Sequence, residues 1–127
     1  MTGVQTCALP ILSNHGGRQL DGAPSTIAAL PKVAEAIGGQ KEVLIDSGIR
    51  TGQDIFRALA LGANACMIGR AALYGLGAGG EAGVARAINI FRGELDTTMI
   101  LAGLDDVKKI DHRAIASELP GEFARRN

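Results

Sequence analysis

Three short apolar runs punctuate the first half of the chain: Ile11-Leu12, cut short by Ser13-Asn14, then Val43-Leu44-Ile45, then Ala65-Cys66-Met67-Ile68. None alternates between apolar and polar positions. Continuous apolar runs of strand length fit a parallel sheet, which is covered by helices on both faces. Each run ends in a polar, glycine-containing loop and gives way to apolar residues at helical spacing. After the first loop, Ser25 or Thr26 is a plausible N-cap, Ile27, Leu30, Ala34 and Ile37 repeat along one face, and Gly38-Gly39 stops the helix. After the second, a helix is predicted from about Gln53 to Leu61, with Ile55, Phe56 and Leu59 inward and Gly62 at its end. After the third comes a small-residue segment, then a longer helix with Val84, Ile88, Phe91 and Leu95 on its core face. A further helical stretch follows from Thr97 to Leu101, Asp105–Ile110 reads as a short capped helix, and the tail from Pro120 is expected to fray.

Strands alternating with helices make βαβ units and a parallel sheet. The fold class is therefore α/β. Two architectures fit: the last three βα units of a (β/α)8 TIM barrel with C-terminal helices, or an open doubly wound sheet.

Composition narrows the function classes. Hydrophobic residues are 46% of the 127 and charged residues 20%, enough for a packed core. Aromatics are only 3%, so that core is aliphatic. Thirteen basic and thirteen acidic residues cancel, which leaves no global field to attract nucleic acid. Cys7 and Cys66 form no CxxC pair or framework, and a reducing cytoplasm is the expected setting. No apolar run approaches the ~20 residues of a membrane span.

Residues 1–11, MTGVQTCALPI, carry no charge and no amphipathic period, and Pro10 interrupts an incipient strand. The segment is similar to the translation of a sequencing-library adapter and is expected to be foreign. Evolved sequence is then expected to start near Leu12, inside an element, as in a truncated protein. The expected organisation is 1–11 foreign, 12–119 barrel and 120–127 tail.

The loops follow the C-terminal ends of the strands, where both architectures place their sites. Asp46-Ser47-Gly48-Ile49-Arg50 and Gly69-Arg70 each combine glycine backbone with an arginine. Backbone N–H groups at a helix start, with a guanidinium beside them, suit a phosphate. Either loop alone is equally consistent with a solvated arginine on a turn. Both at equivalent positions favour the anion site. The first loop, Ser13-Asn14-His15-Gly16-Gly17-Arg18-Gln19-Leu20-Asp21, offers different chemistry. His15 can exchange a proton near neutral pH, and Arg18 can grip a carboxylate through two parallel hydrogen bonds. A base beside a carboxylate clamp suits proton abstraction from a 2-hydroxy acid, although spacing alone leaves a structural histidine open.

Gly75, Gly77 and Gly80 form a GxGxxG opening a helix, with Asp96 about 20 residues on, as in dinucleotide sites. The context is wrong: Arg70–Tyr74 separate it from the preceding strand, and Asp96 ends no second strand. His15, His112 and Cys66 have no metal-ligand spacing, and no GxSxG elbow is present.

Four stretches, SNHGGRQLDGAPST, DSGIRTGQDIFRALALGA, IGRAALYGLGAGGEAGV and ELDTTMILAG, together resemble the FMN-dependent 2-hydroxy acid dehydrogenases and oxidases, over residues 12–112. That family includes glycolate oxidase, lactate oxidase, mandelate dehydrogenase and L-lactate dehydrogenase. The DSG form of the second loop, where many members have DGG, looks most like bacterial respiratory L-lactate dehydrogenases. The resemblance implies a TIM barrel binding FMN. His15 matches the catalytic base and, with Arg18, the substrate-binding pair. Ser13, Asp46, Ser47, Gly48, Ile49, Arg50, Gly69 and Arg70 match cofactor contacts. Ser47 departs from glycine, which puts little in doubt provided its φ is negative. The implied reaction oxidises an L-2-hydroxy acid, L-lactate foremost, to the 2-oxo acid, with electrons passed to oxygen, a quinone or a cytochrome. The family's earlier strands are absent, so the chain alone is expected to be inactive. At full length a homo-oligomer of tetramer type is implied, cytoplasmic or peripheral on the inner face of the cell membrane. The rivals are a non-catalytic phosphate- or nucleotide-binding module and an FMN barrel with other chemistry, such as an isomerase. Neither needs a carboxylate clamp beside a base.

Overall fold

The computed structural model describes residues 9–115. Cys7, most of the segment expected to be foreign, and the tail from Pro120 lie outside these residues. Three parallel strands, β1 (Ile11–Leu12), β2 (Leu44–Ile45) and β3 (Ala65–Cys66), lie side by side in chain order. Ile11 is in register with Leu44, and Leu44 with Ala65. The helices α1 (Thr26–Ile37) and α2 (Gly52–Ala60) make the crossovers, and α3 (Arg70–Leu101) follows β3. Chain order equal to spatial order is the winding of a (β/α)8 barrel. A doubly wound sheet reverses its order at a switch point.

The strands are shorter than the apolar runs predict, because each run turns away into its loop. Hydrogen bonds still reach past the paired residues: Asp46 N–H donates to the Leu12 carbonyl at 2.8 Å and Met67 N–H to that of Ile45 at 2.8 Å. Pro10 does not break the ladder. It lacks a donor but keeps a carbonyl, which accepts from Leu44 N–H at 2.9 Å.

Two apolar clusters hold the units together. Leu30, Val43, Ile45, Ala58 and Ala63 join α1, β2 and α2; Leu30 and Ile45 are fully buried. Phe56, Ala60, Met99 and Ile110 join α2 to the end of α3 and the chain beyond it. α2 is thus apolar on two sides, with Phe56, Ala58 and Ala60 buried and Ile55 and Leu59 half-buried. Its start is fixed by a capping box, Thr51 with Asp54. α1 starts after Ser25, whose side chain makes no cap bond, and ends at Gly38 in the left-handed region, φ 59°.

α3 differs from expectation. The small-residue segment is helical, and α3 consists of two helical pieces joined where Gly79 and Gly80 leave helical geometry; the second piece runs on through Thr97–Leu101. Across the bend the Gly75 and Gly83 backbones touch: a Cβ on Gly75 would lie 2.6 Å from the Gly83 carbonyl oxygen. Gly75 and Gly80 therefore serve a turn between helical pieces, not a strand-to-helix turn. Ile88, expected on the core face, is 48% exposed. The buried positions of α3, Phe91 and Met99, lie beyond it toward the C-terminal end of the helix. The capped turn predicted near Asp105–Ile110 is a 3-10 turn, Val107–Lys109, capped by Asp106. Among the described residues no helix is long and apolar enough to cross a membrane.

Candidate active site

The strand-end loops meet at one end of the sheet. They enclose an open cavity of about 800 Å³ lined by His15, Arg18, Asp46, Ser47, Gly48, Ile49, Arg50, Gly69 and Arg70. Ser13 does not line it and sits behind, on Asp46. Gly16, Met67, Ala71 and Tyr74 also line it and were not singled out from sequence. Ala71 and Tyr74 lie on the first turn of α3, within four residues of Arg70, so helical spacing could have pointed to them. A smaller adjoining cavity of about 400 Å³ shares Gly48, Arg50 and Arg70.

The His15 turn is built locally. Residues His15–Gly17 form a 3-10 turn with positive φ at His15 (52°), Gly16 (68°) and Gly17 (77°). Two glycines meet that demand without cost; His15 does not. Asn14 anchors both sides: its Oδ1 accepts from Gly16 N–H at 2.9 Å and its Nδ2 donates to the Pro24 carbonyl at 3.1 Å.

Asp46 anchors the second loop. Its Oδ2 accepts from the Ser13 hydroxyl at 2.5 Å and the Ser47 hydroxyl at 3.0 Å. The Ser13 bond is the largest influence holding this carboxyl below its usual range. Burial opposes it, and bonds from Ser47 and the charge of His15 add to the lowering. Ser47 has φ +79°, so the condition on which a serine there was harmless is not met. Its carbonyl accepts from the buried Thr26 hydroxyl at 3.1 Å, which pins the residue to the start of α1.

Arg18, Arg50 and Arg70 are exposed, and none is in a salt bridge among the described residues. Three guanidiniums with uncommitted donors face one cavity. Gly69 is the N-cap of α3, and a Cβ at Gly69 or Gly48 would meet nothing within 4 Å. The cavity can therefore take an anion at the α3 end and a second at Arg18. Cys66 is no nucleophile for it: burial first, then the charge of Asp54, pushes the thiol up to about 11.

The sequence model of the FMN-dependent dehydrogenases matches residues 6–117. The chain belongs to that family. The L-lactate dehydrogenase of Bartonella quintana is 50% identical over 107 residues, which are 84% of this chain and 28% of that protein. The membrane-associated (S)-mandelate dehydrogenase of Pseudomonas putida, solved as a soluble mutant, superposes with a TM-score of 0.78 at 46% identity, over 85% of this chain and 30% of that one. A mandelate oxidase mutant solved with an FMN monooxide adduct gives a TM-score of 0.78 at 41% identity, over 87% and 34%. The chain thus spans about a third or less of the length of these relatives, and its three βα units are part of a TIM barrel.

The residues present fit the family cofactor. A phosphate needs N–H donors and fixed positive charge, which Gly69, Arg50 and Arg70 offer. A sugar-alcohol chain needs acceptors, which Asp46 supplies, and a planar ring needs apolar surface, present at Ile49 and Met67.

Proposed function

We propose that these residues are part of an FMN-dependent oxidase or dehydrogenase that converts an L-2-hydroxy acid, L-lactate foremost, to its 2-oxo acid. The observation that carries the reading is that His15 and Arg18 line the same cavity as Gly69, Arg50 and Arg70. The phosphate of FMN would lie on Arg50, Arg70 and the N–H groups at the start of α3, with Asp46, Ser47, Gly48 and Ile49 along the cofactor. Bound there, FMN supplies the two-electron sink. Arg18 receives the substrate carboxylate through paired hydrogen bonds and so presents the hydroxyl-bearing carbon to the cavity. His15 takes up the proton released there and returns it to solvent. Electrons leave to a quinone, oxygen or a cytochrome. Full-length homo-oligomerisation and peripheral attachment to the inner face of the cell membrane belong to the same reading, the latter supported by the membrane-associated relative.

The 127 residues alone are proposed to be inactive, because β1 and β3 are sheet edges and Tyr74 is 71% exposed at the cavity mouth. Flavin absorbance co-eluting with the purified chain on gel filtration would overturn that. The catalytic reading is tested in a full-length enzyme, made by grafting residues 12–115 in place of the matching segment of (S)-mandelate dehydrogenase. His15→Gln is expected to abolish turnover of L-lactate and (S)-mandelate while flavin stays bound. Turnover within about tenfold of the parent sinks the role of His15.

A further inference from the structure

Behind His15, the direction of each hydrogen bond can be assigned. An ionised carboxylate only accepts. Both the Ser13 and Ser47 hydroxyls therefore commit their protons to Asp46 Oδ2 and keep their lone pairs. Consecutive backbone donors of the turn take those lone pairs. His15 N–H donates to Ser13 Oγ at 3.1 Å, and Gly16 N–H donates to Ser47 Oγ at 3.1 Å, a proton it shares with Asn14 Oδ1. Ser13 and Asn14 belong to the turn's own strand end. Ser47 does not: it arrives from the next unit, 31 residues later. It is clamped there by Thr26 on its carbonyl and Asp46 on its hydroxyl, at a φ that disfavours any Cβ. Glycine would take this backbone without strain. What serine adds is the oxygen that reaches Gly16.

We propose that Ser47 is a positioning residue, whose hydroxyl ties the His15 turn to Asp46 and so holds the imidazole at the cavity. The inference rests on His15 being the base. It assigns the Ser47 side chain to the turn, whereas the cofactor contact expected at this position needs only its backbone.

Two variants of the grafted full-length enzyme test it. Ser47→Ala removes the hydroxyl and keeps the strain; Ser47→Gly removes both and cannot fail for lack of backbone fit. Both are expected to lower kcat about tenfold, with KM within about twofold and flavin content unchanged, as for a misaligned base. Amide hydrogen exchange, read by mass spectrometry, is expected to quicken about tenfold over residues 14–17 and to hold steady over α2. Ser47→Gly with the parent's kcat, or with the parent's exchange over the turn, overturns the proposal. So does a loss of turnover that tracks lost flavin. His15→Gln in the same background separates the two layers. If it stays active, the base assignment falls. If it is dead beside a fully active Ser47→Gly, only the role of Ser47 falls.

Discussion

The loop face and the α2–α3 contact both depend on glycine, for opposite reasons. At the loop face Gly16, Gly17 and Gly48 have positive φ, and a Cβ on any of them would meet nothing within 4 Å. Backbone conformation is the constraint there, and space is plentiful. At the helix contact Gly52 has ordinary φ, but a Cβ would lie 2.6 Å from backbone and side-chain atoms of Glu94. Space is the constraint there. The Gly52 N–H also donates to Glu94 Oε2 at 2.6 Å, so α3 both crowds and caps the start of α2. The same residue type thus marks an open, strained, polar end and a closed, relaxed, packed side. Strain concentrated where side chains line a cavity is the pattern expected of a working site.

The largest effect should come from chemistry at the open end. His15→Gln in the grafted enzyme is expected to reduce kcat by about 10²–10⁴-fold, the range for a positioned general base. Steady-state kinetics beside the flavin spectrum checks it; a reduction under tenfold would remove His15 from the chemistry. Next comes the closed side. Gly52→Ala is expected to cost about 3 kcal/mol, at the upper end for overpacking, because the atoms it meets include backbone of α3 that cannot swing aside. Urea unfolding reads it, and a loss under about 1 kcal/mol would mean that α3 yields.

These contrasts were unevenly legible in the sequence. The parallel strands were legible, because runs such as Val43-Leu44-Ile45 are continuously apolar, as burial on both faces requires. Their order was not, since that pattern fits a barrel and a doubly wound sheet alike, and only the family resemblance favoured the barrel. The cavity's members were legible because every candidate loop follows a strand end. The Thr51–Asp54 capping box was there to be read as a threonine three residues before an acid, and it sets the start of α2 one residue earlier than the apolar pattern does. The positive φ of Ser47 was not legible in serine itself. The glycine that many members of the resembled family have at this position was the only signal for it, and the bonds from Thr26 and to Asp46 hold the residue there. Nor was the Gly52–Glu94 bond, which joins residues 42 apart through a packing angle that local pattern does not encode. The exposure of Ile88 shows the same limit: helical period identifies a face, but not how much of that face a neighbour covers.

A middle-sized effect separates conformation from space. Gly48→Ala puts a Cβ on a residue at φ +85°, and is expected to cost about 1–2 kcal/mol through backbone strain alone. Gly93→Ala, with equal room and no positive φ inside α3, is expected to stay within about 0.5 kcal/mol or to gain slightly. Equal losses in the two variants, measured by urea midpoint, would show that the positive φ of Gly48 does not set the cost.

The smallest effect concerns the charge that organises the open end. Asp46 has its pKa held below the ordinary 3.8, chiefly by the Ser13 hydroxyl. A carboxyl depressed on folding stabilises the fold above its unfolded value. That contribution is lost as pH falls through 3.8 towards the lower folded value. The grafted enzyme should therefore lose stability between about pH 5 and pH 3 more steeply than its Asp46→Asn variant, by about 1 kcal/mol or less. Asparagine keeps an acceptor for one hydroxyl but has no charge to lose, so the two stability curves should converge as the aspartate protonates. The exposed face of α2 supplies the control. Arg57 and Asp54 pair on the exposed side of α2 at 3.3 Å, a surface bridge worth about 0–1 kcal/mol. If Arg57→Met flattened the acid limb as much as Asp46→Asn does, the pH response would belong to the helix surface and not to the loop face.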